Sequence, residues 1–270
     1  MFRRPALPLH NNIYHAPYGD TDAVEQQLRI AREVGNDIAA VVMESIQGEA
    51  GAIVPPDDFW PRLRQFCDEY EVLLIAADAL QAIYPDLEHR IVVTIMGAVA
   101  AELYMLGHRH NFFYLEHAMG LASSMGLGIA LAMPDHQVIV IDGDGSLLMN
   151  LGTLSTLARY KPGNLLHLVF DNESLLSVGG FPTATSTGTD LAGIARASGV
   201  PQVVEADTTD RLKKSVQEAL ASNTLTTIVS KVEAIGPKSF HMDLPLLENR
   251  FQFARSLEAM RREGPSSVPR

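Results

Sequence analysis

The chain has 270 residues, 47% of them hydrophobic, and a formal net charge of −11 at pH 7, so it can bury one large core or two smaller ones. This acidic balance argues against a nucleic-acid partner, because phosphate backbones are bound by clustered lysine and arginine. The single cysteine, Cys67, excludes a disulfide within the chain and favours a reducing, cytoplasmic location.

The first third of the sequence predicts a helix followed by a small β-α-β unit. Residues 20–34 carry apolar side chains at helical spacing behind a capping aspartate, and Gly35 ends this helix. Strands are predicted at 38–43 and 72–76, with a second helix between them after the proline and aspartate run at 55–58.

From about residue 80, apolar runs suited to buried strands alternate with segments of helical period. Strands are predicted at 91–94, 137–141, 165–170, 202–204 and 225–229, and helices at 98–106, 118–133, 147–160, 190–197 and 211–221. This alternation is typical of an α/β protein with a mostly parallel sheet flanked by helices. The apolar segment 118–133 is shorter than the roughly 20 residues that a bilayer requires, so we expect a buried helix and no membrane partner.

The sharpest motif is Gly143-Asp144-Gly145, which lies between a predicted buried strand and a helix. Glycines let the backbone approach a phosphate, and free amides at a helix start can donate to it. The next strand ends in Asp171-Asn172, and a β-α-β crossover would place Asn172 beside Asp144 at the carboxyl edge of the sheet. These oxygen ligands suit a magnesium ion that bridges a diphosphate. Gly-Asp-Gly taken alone is equally well explained as a capped tight turn.

Together, Gly143-Asp144-Gly145 and Asp171-Asn172 resemble the diphosphate and metal motif of thiamine-diphosphate enzymes. The resemblance covers most of residues 80–258, including 113–128 and 179–183. It is closest to the β subunit, or cofactor-binding domain, of sulfopyruvate and phosphonopyruvate decarboxylases. It implies a thiamine-diphosphate-binding fold.

The same resemblance implies roles for individual residues. Asp144 and the side chain of Asn172 would bind Mg²⁺, with the backbone carbonyl of Ser174 as a third ligand. Met119 would lie against the thiazolium ring of thiamine diphosphate, with simple core packing as the alternative, and amides near Ser146 would bind the diphosphate. The implied cofactor-binding set is Met119, Gly143, Asp144, Gly145, Ser146 and Asn172.

The sequence departs from the decarboxylase pattern where substrate is bound. Ile95-Met96-Gly97 and Ala101-Glu102-Leu103 stand where Thr-Thr-Gly and Arg-Glu-Leu are common, and Leu175 and Val178-Gly179-Gly180-Phe181 replace Tyr and Thr-Gly-Gly-Gln. A phosphono or sulfo group needs cationic and donor partners, so these changes leave the identity of the 2-oxo acid substrate open. We expect these substitutions to affect cofactor binding less than substrate recognition.

His117, part of a Glu-His pair that replaces two small residues, is a candidate acid or base near the thiamine ring. The alternative is a structural or solvent-exposed histidine, and it carries the greater weight.

Residues 17–76 resemble an internal slice of the class III pyridoxal-phosphate aminotransferases. The matching runs include 17–20, 44–51 and 55–59. In that family the last strand leads to an Asp-Glu pair whose aspartate binds the pyridine nitrogen. Here Ala77-Asp78 follows the strand, which displaces the aspartate by one position and therefore onto the other face.

Pyridoxal-phosphate chemistry requires a Schiff-base lysine, and no lysine precedes Lys161. We therefore expect a truncated fragment that serves as scaffold or interface, with Glu44 and Glu49 as remote candidates for a recruited role. The predicted organisation is an aminotransferase-like fragment at 1–79, a thiamine-diphosphate and magnesium domain at 80–258, and a flexible tail at 259–270.

The resembled enzymes also need a glutamate from a separate pyrimidine-binding domain, which this sequence does not recognisably contain. The leading hypothesis is therefore the cofactor-binding subunit of a thiamine-diphosphate-dependent 2-oxo acid decarboxylase, within a homo- or hetero-oligomer that includes a pyrimidine-domain subunit. The alternative is a fusion protein that binds cofactor or oligomerises without turnover. Another thiamine reaction, such as carboligation, is a third possibility.

Overall fold

A computed structural model of the chain describes residues 16–17, 20–33, 40–41, 56, 59, 62, 73–74, 77–237 and 240–264. The chain divides into two compact units, Met1–Ile75 and Ala76–Arg270. No helix in the described ranges has the length and apolar content needed to cross a bilayer.

The described part of the first unit includes the helix α1 (Thr21–Glu33), whose buried side chains include Val24, Leu28 and Ala31 as the apolar spacing predicts. The side chain of Asp20 accepts a hydrogen bond from the amide of Ala23 and caps the helix.

Two short strands of the first unit, β1 (Ala40–Val41) and β2 (Leu73–Leu74), pair in parallel, as expected of a β-α-β unit. Of the helix predicted between them, the structure describes Phe59 and Arg62, both helical, and the remaining residues lie outside the described ranges. The predicted stop at Gly35 and the side chains of Glu44, Glu49 and Cys67 also lie outside the described residues.

The second unit is built on a six-stranded sheet with the order β4-β3-β5-β6-β10-β9, in which every pair of neighbours is parallel. The strands are β3 (Ile91–Ile95), β4 (Phe112–Leu115), β5 (Val138–Gly143), β6 (Leu165–Asp171), β9 (Gln202–Ala206) and β10 (Thr226–Lys231). A small antiparallel hairpin, β7 (Ser174–Leu175) with β8 (Phe181–Pro182), follows β6. The predicted α/β class with a mostly parallel sheet is confirmed.

Helices cover both faces of this sheet. They are α2 (Ala77–Ile83), α3 (Ala98–Leu106), α4 (Ala122–Ala132), α5 (Asp144–Met149), α6 (Gly152–Tyr160), α7 (Leu191–Ala197), α8 (Thr209–Ser222) and α9 (Leu246–Glu263). Along β5, Val138 and Val140 join the core under α4, α6 and α7, whereas Ile139 and Ile141 join the core under α2, α3 and α8. The continuous apolar runs in the sequence reflect this burial on two sides.

The structure differs from the sequence prediction at several places. The segment predicted as one helix over 147–160 is two helices, α5 and α6, separated at Asn150, whose side-chain amide donates to the carbonyl of Gly120. Strand β4, the β7-β8 hairpin and helices α2 and α9 were not predicted, and α9 continues past residue 258 to Glu263. The helix predicted from 118 begins at Ala122, after a turn closed by a hydrogen bond from Leu121 to Ala118.

Candidate cofactor site

A cavity of about 350 Å³ opens in the second unit, where β5 leads into α5 and β6 leads into the β7-β8 hairpin. This is the carboxyl edge of the parallel strands, where open α/β sheets bind ligands. All the residues predicted to bind cofactor or metal line it, namely Met119, Gly143, Asp144, Gly145, Ser146, Asn172 and Ser174. The structure therefore brings together two motifs that are separate in the sequence.

The turn from β5 into α5 requires its glycines for different reasons. A side chain at Gly145 would begin 2.3 Å from Leu175 Cδ2, so the contact between α5 and the hairpin depends on a residue without Cβ. At Gly143 a Cβ would meet nothing within 4 Å, and the residue faces open cavity space. This bare backbone forms a cradle that a ligand can approach closely.

Asp144 is the first residue of α5, and its side chain is buried in the cavity wall. The hydroxyl of Thr183 donates to Asp144 Oδ2 at 2.5 Å, and the hydroxyl of Thr185 donates to the same oxygen at 3.1 Å. Burial raises the pKa of Asp144 above its ordinary value, the Thr183 hydrogen bond opposes that shift, and the charge of Asp171 adds to it. A divalent cation would offset this burial cost and favour the ionised form.

The loop after β6 presents the second set of oxygen atoms. Asn172 Oδ1 accepts a hydrogen bond from the amide of Ser174 at 3.0 Å, which fixes the amide group toward the start of the hairpin. The intervening Glu173 has a φ of 57°, in the left-handed region. Lys231 on β10 bridges Asp171 and Glu173 with two contacts of 2.8 Å, so both residues that flank Asn172 are held.

Met119 reaches the cavity from the segment that precedes α4. The amide of Gly120 donates to Ser146 Oγ at 3.1 Å, and the carbonyl of Gly120 accepts from Asn150 at 3.0 Å. Gly120 has a φ of 84°, which favours glycine at this position. These contacts fasten the Met119 segment to both ends of α5.

His117 is not among the residues that line the cavity. Its side chain is 78% exposed, and its nearest charged neighbour is Glu116 at 4.0 Å. Its φ of 56° places it in a tight turn before Met119. His117 is therefore a solvent-exposed histidine outside the cavity, which is the alternative to a role as acid or base.

Among the described residues that line the cavity, Asp144 is the one with a charged side chain, and none is a lysine, arginine or histidine. The described part of the chain also holds no cluster of three or more histidine, cysteine, aspartate or glutamate side chains suited to a metal. A diphosphate here would need a metal ion and backbone amides to balance its charge. Carboxylate, amide and carbonyl oxygens, which Asp144, Asn172 and Ser174 supply, are the ligands that Mg²⁺ prefers.

Apart from Ser177 and Thr183, the rest of the described cavity wall consists of apolar residues. Ile95, Met96 and Val99 approach from β3 and α3, and Leu175 and Val178 approach from the hairpin. These are the positions, or neighbours of the positions, where the sequence lacks the polar residues common in decarboxylases. The wall suits the flat face of an organic ring better than an anionic group.

Sequence reasoning did not assign a role to Thr183 or Thr185, although both contact Asp144. A signal existed for Thr183, since Pro182-Thr183 belongs to the stretch that resembles the decarboxylases. The hydrogen-bond partner could not be inferred, because Thr183 and Thr185 meet Asp144 only after the hairpin folds back over α5.

Comparison with known proteins defines the class of this unit. The family model for the thiamine pyrophosphate enzyme, C-terminal TPP binding domain, matches residues 94–230. The chain belongs to this family. Among solved structures, benzoylformate decarboxylase from Polynucleobacter necessarius aligns with a TM-score of 0.50 at 18% identity, over 60% of this chain and 34% of that one, which supports the fold.

The relatives found by sequence include sulfopyruvate and phosphonopyruvate decarboxylases, the enzymes that the sequence motifs resemble. The sulfopyruvate decarboxylase subunit beta of Methanocaldococcus jannaschii is 36% identical over 171 residues, which are 63% of this chain and 90% of that subunit. The phosphonopyruvate decarboxylase of Streptomyces hygroscopicus is 44% identical over 137 residues, which are 51% of this chain and 34% of that enzyme. The chain thus spans nearly all of the former and about a third of the latter.

The N-terminal segment matches a different family. The model for class III aminotransferases matches residues 2–82. The putrescine aminotransferase of Pectobacterium atrosepticum is 45% identical over 74 residues, which are 27% of this chain and 16% of that enzyme. The predicted similarity of the first third to a slice of an aminotransferase is confirmed.

Proposed function

We propose that this chain is the cofactor-binding subunit of a thiamine-diphosphate-dependent 2-oxo acid decarboxylase. The observation that carries the proposal is the convergence of Asp144, Asn172 and Ser174 on one cavity in a thiamine pyrophosphate enzyme domain. The decarboxylase names of its relatives support the reaction class.

The proposal assigns each residue a task. Asp144, the side chain of Asn172 and the carbonyl of Ser174 hold Mg²⁺, and the turn amides from Gly143 to Ser146 receive the diphosphate. Met119 packs against the thiazolium ring. Thiamine diphosphate, when bound, supplies an electron sink for decarboxylation, and the protein supplies position and electrostatics.

A second subunit is part of the proposal. The Methanocaldococcus relative is named as a beta subunit, which implies a partner for that protein. Among the described residues that line the cavity, the one charged side chain, Asp144, is assigned to the metal, and none supplies a glutamate for the aminopyrimidine ring. We assign it to a pyrimidine-domain subunit in a cytoplasmic oligomer. That subunit would also supply the cations needed by a sulfo or phosphono substrate.

The first 79 residues have a scaffold or interface role in this proposal, outside the thiamine-diphosphate domain. Although this segment is similar to class III aminotransferases, it contains no lysine for a Schiff base, since no lysine precedes Lys161 in the sequence.

A thermal-shift experiment tests the central assignment. Thiamine diphosphate with Mg²⁺ should raise the melting temperature of the full chain, because a ligand that binds only the native state stabilises it by about 2.7 kcal/mol at 100 times Kd. Asp144→Ala should abolish the shift, whereas Asp135→Ala, at an exposed turn, should retain it. Equal shifts in both variants would remove Asp144 from the site.

A further inference from the structure

A buried pair of polar side chains, Asp142 and His167, lies directly beneath the cofactor cavity. Asp142 is the last residue but one of β5, and His167 is in the middle of the neighbouring strand β6. Both side chains have 0% solvent exposure, and His167 Nε2 is 3.4 Å from Asp142 Oδ2. A carboxylate only accepts hydrogen bonds, so the ring proton that joins the pair is on Nε2.

The register of the sheet explains how these two residues meet. In the parallel pairing of β5 and β6, Val140 is opposite His167 and Asp142 is opposite Val169. Asp142 and His167 are therefore diagonal neighbours on one face of the sheet, which is the face that Val140 and Val169 bury in the core. The pair is isolated from solvent by that core.

Asp142 connects the pair to the cofactor turn. Its second carboxylate oxygen, Oδ1, accepts a hydrogen bond from the amide of Gly143 at 3.0 Å. This bond fixes the peptide plane at the point where β5 ends and Asp144 begins α5. His167 thus contacts one oxygen of the same carboxylate whose other oxygen holds the turn.

We propose that His167 is a positioning residue of the cofactor site, which acts through Asp142 on the Gly143-Asp144 turn. A buried carboxylate is costly unless it is paired, and His167 is the pairing group that keeps it in place. Without the imidazole, Asp142 would rotate toward another donor or recruit water, and the Gly143 amide would lose its acceptor. The inference rests on the proposed function, because the turn it positions is the proposed diphosphate and metal cradle.

The second ring nitrogen of His167, Nδ1, gives evidence that the imidazole has a role besides core packing. His167 Nδ1 has no hydrogen-bond partner in the described part of the chain, and the same holds for the hydroxyl of Thr227, its register partner on β10. An unpaired buried nitrogen costs stability, so the imidazole is not optimised for the core alone. Thr227 supplies a matched control in the same layer of the sheet.

Substitutions at position 167 can keep or remove the relevant donor. In His167→Gln the side-chain amide nitrogen occupies about the place of Nε2 and can still reach Asp142. In His167→Asn the amide is shorter and takes about the place of Nδ1, so the bond to Asp142 is lost. Thr227→Val removes a hydroxyl that makes no hydrogen bond in the described part of the chain and leaves Asp142 paired.

The experiment is a calorimetric titration of each full-length variant with thiamine diphosphate at saturating Mg²⁺, together with the melting temperature of the unliganded protein. We expect His167→Asn to raise Kd by about 10-fold or more, the scale typical of groups that orient metal ligands. His167→Gln should stay within about 3-fold of the wild type on the same scale, and Thr227→Val should match the wild type.

Three outcomes would overturn the inference. If Gln and Asn weaken binding equally, or if both lower the melting temperature while Kd stays unchanged, His167 has a packing role only. His167→Asn could fail to fold. In that case, a Kd for His167→Gln more than about 10-fold above that of Thr227→Val would also show that His167 has a packing role only. Failure of the wild-type chain to bind thiamine diphosphate is a separate result, which removes the proposed function and this inference with it.

Discussion

Thr183 donates a hydrogen bond to Asp144 Oδ2, so a residue at the end of the β7-β8 hairpin orients the carboxylate that begins α5. The hairpin is held in turn by the loop that follows β6, because the amide of Thr183 donates to the carbonyl of Glu173 in that loop. The two halves of the proposed metal site are therefore coupled through one threonine.

Loss of the Thr183 hydroxyl should weaken metal binding more than it weakens the fold. Thr183→Val removes one of the two hydroxyl groups that donate to Asp144 Oδ2, and we expect roughly a 10- to 100-fold rise in the Mg²⁺ concentration needed for cofactor binding. Thr183→Ser should retain most of the affinity. The measurement is a Mg²⁺ titration at fixed thiamine diphosphate, followed by the melting temperature.

The control for this substitution is Thr187→Val, an exposed position on the short helical turn Ala184–Thr187 that follows the hairpin. It should leave the Mg²⁺ dependence unchanged. If Thr183→Ser is as impaired as Thr183→Val, the hydroxyl does not position Asp144.

A second prediction concerns the contact between α4 and the sheet. A Cβ at Gly126 would lie 2.1 Å from Val140 Cγ2, whereas a Cβ at Gly128 meets nothing within 4 Å. Gly126→Ala should therefore destabilise the fold by about 1–3 kcal/mol through overpacking. Gly128→Ala should stabilise it by up to about 1 kcal/mol, since alanine favours helix. Urea unfolding followed by circular dichroism distinguishes them, and equal effects would contradict the close packing.

Much of the fold and part of the site follow from local sequence. Strands β5 and β6 are continuous apolar runs that end in the residues which line the cavity, so Asp144 and Asn172 could be placed side by side from topology alone. The Thr183 contact could not be predicted, because it depends on how the hairpin closes over α5. The Asp142-His167 pair depends on the register of β5 against β6, which the sequence pattern left open.

The edge strand β4 also could not be predicted from its local sequence. Strand β4 has only four residues, and its sequence shows no clear alternation of apolar and polar side chains. Its outer hydrogen-bonding groups are satisfied by Asn249 of α9, which accepts from the amide of Tyr114 at 3.1 Å and donates to the carbonyl of Phe112 at 2.8 Å. A strand that a distant helix completes carries little local signal.

A third prediction is a pH dependence of stability that arises from Glu102 on α3. Burial raises the pKa of Glu102 from its ordinary value to about 7. The folded state therefore favours the protonated acid, and its contribution to stability is present at low pH and lost as pH rises through about 7. Glu102→Gln should stabilise the protein at pH 8 by about 1–3 kcal/mol, and by little at pH 4.5.

The measurement is the free energy of unfolding of wild type and variant across this pH range. Glu258→Gln, at an exposed position of α9, should track the wild type at every pH. A Glu102→Gln effect that is constant with pH would show that Glu102 titrates near its ordinary value in the folded protein.

A fourth prediction is that the aminotransferase-like segment forms no stable adduct with pyridoxal phosphate. No lysine precedes Lys161, and Lys161 ends α6 as an exposed residue with a φ of 47°. Protein mixed with pyridoxal phosphate should show no protein-linked absorbance band after gel filtration. A persistent band that disappears in Lys161→Ala would show that the thiamine-diphosphate domain supplies the missing lysine.

The final prediction concerns turnover. The purified chain, saturated with thiamine diphosphate and Mg²⁺, should show negligible decarboxylation of sulfopyruvate, phosphonopyruvate or pyruvate. Asp144, Asn172 and Ser174 can anchor the diphosphate end of the cofactor, but the described cavity has no second carboxylate to move a proton on the aminopyrimidine ring. A positioned proton-transfer group typically contributes about 10²- to 10⁴-fold to the rate.

Activity should therefore appear when a pyrimidine-domain subunit is added, and Asp144→Ala should remain inactive in the same mixture because it no longer holds the metal. Release of CO₂ measured with and without the partner tests both points. Steady turnover by the isolated chain would contradict the need for a partner. If that turnover fell in Glu44→Gln or Glu49→Gln, the activating carboxylate would come from the aminotransferase-like segment, and the scaffold role proposed for residues 1–79 would be wrong.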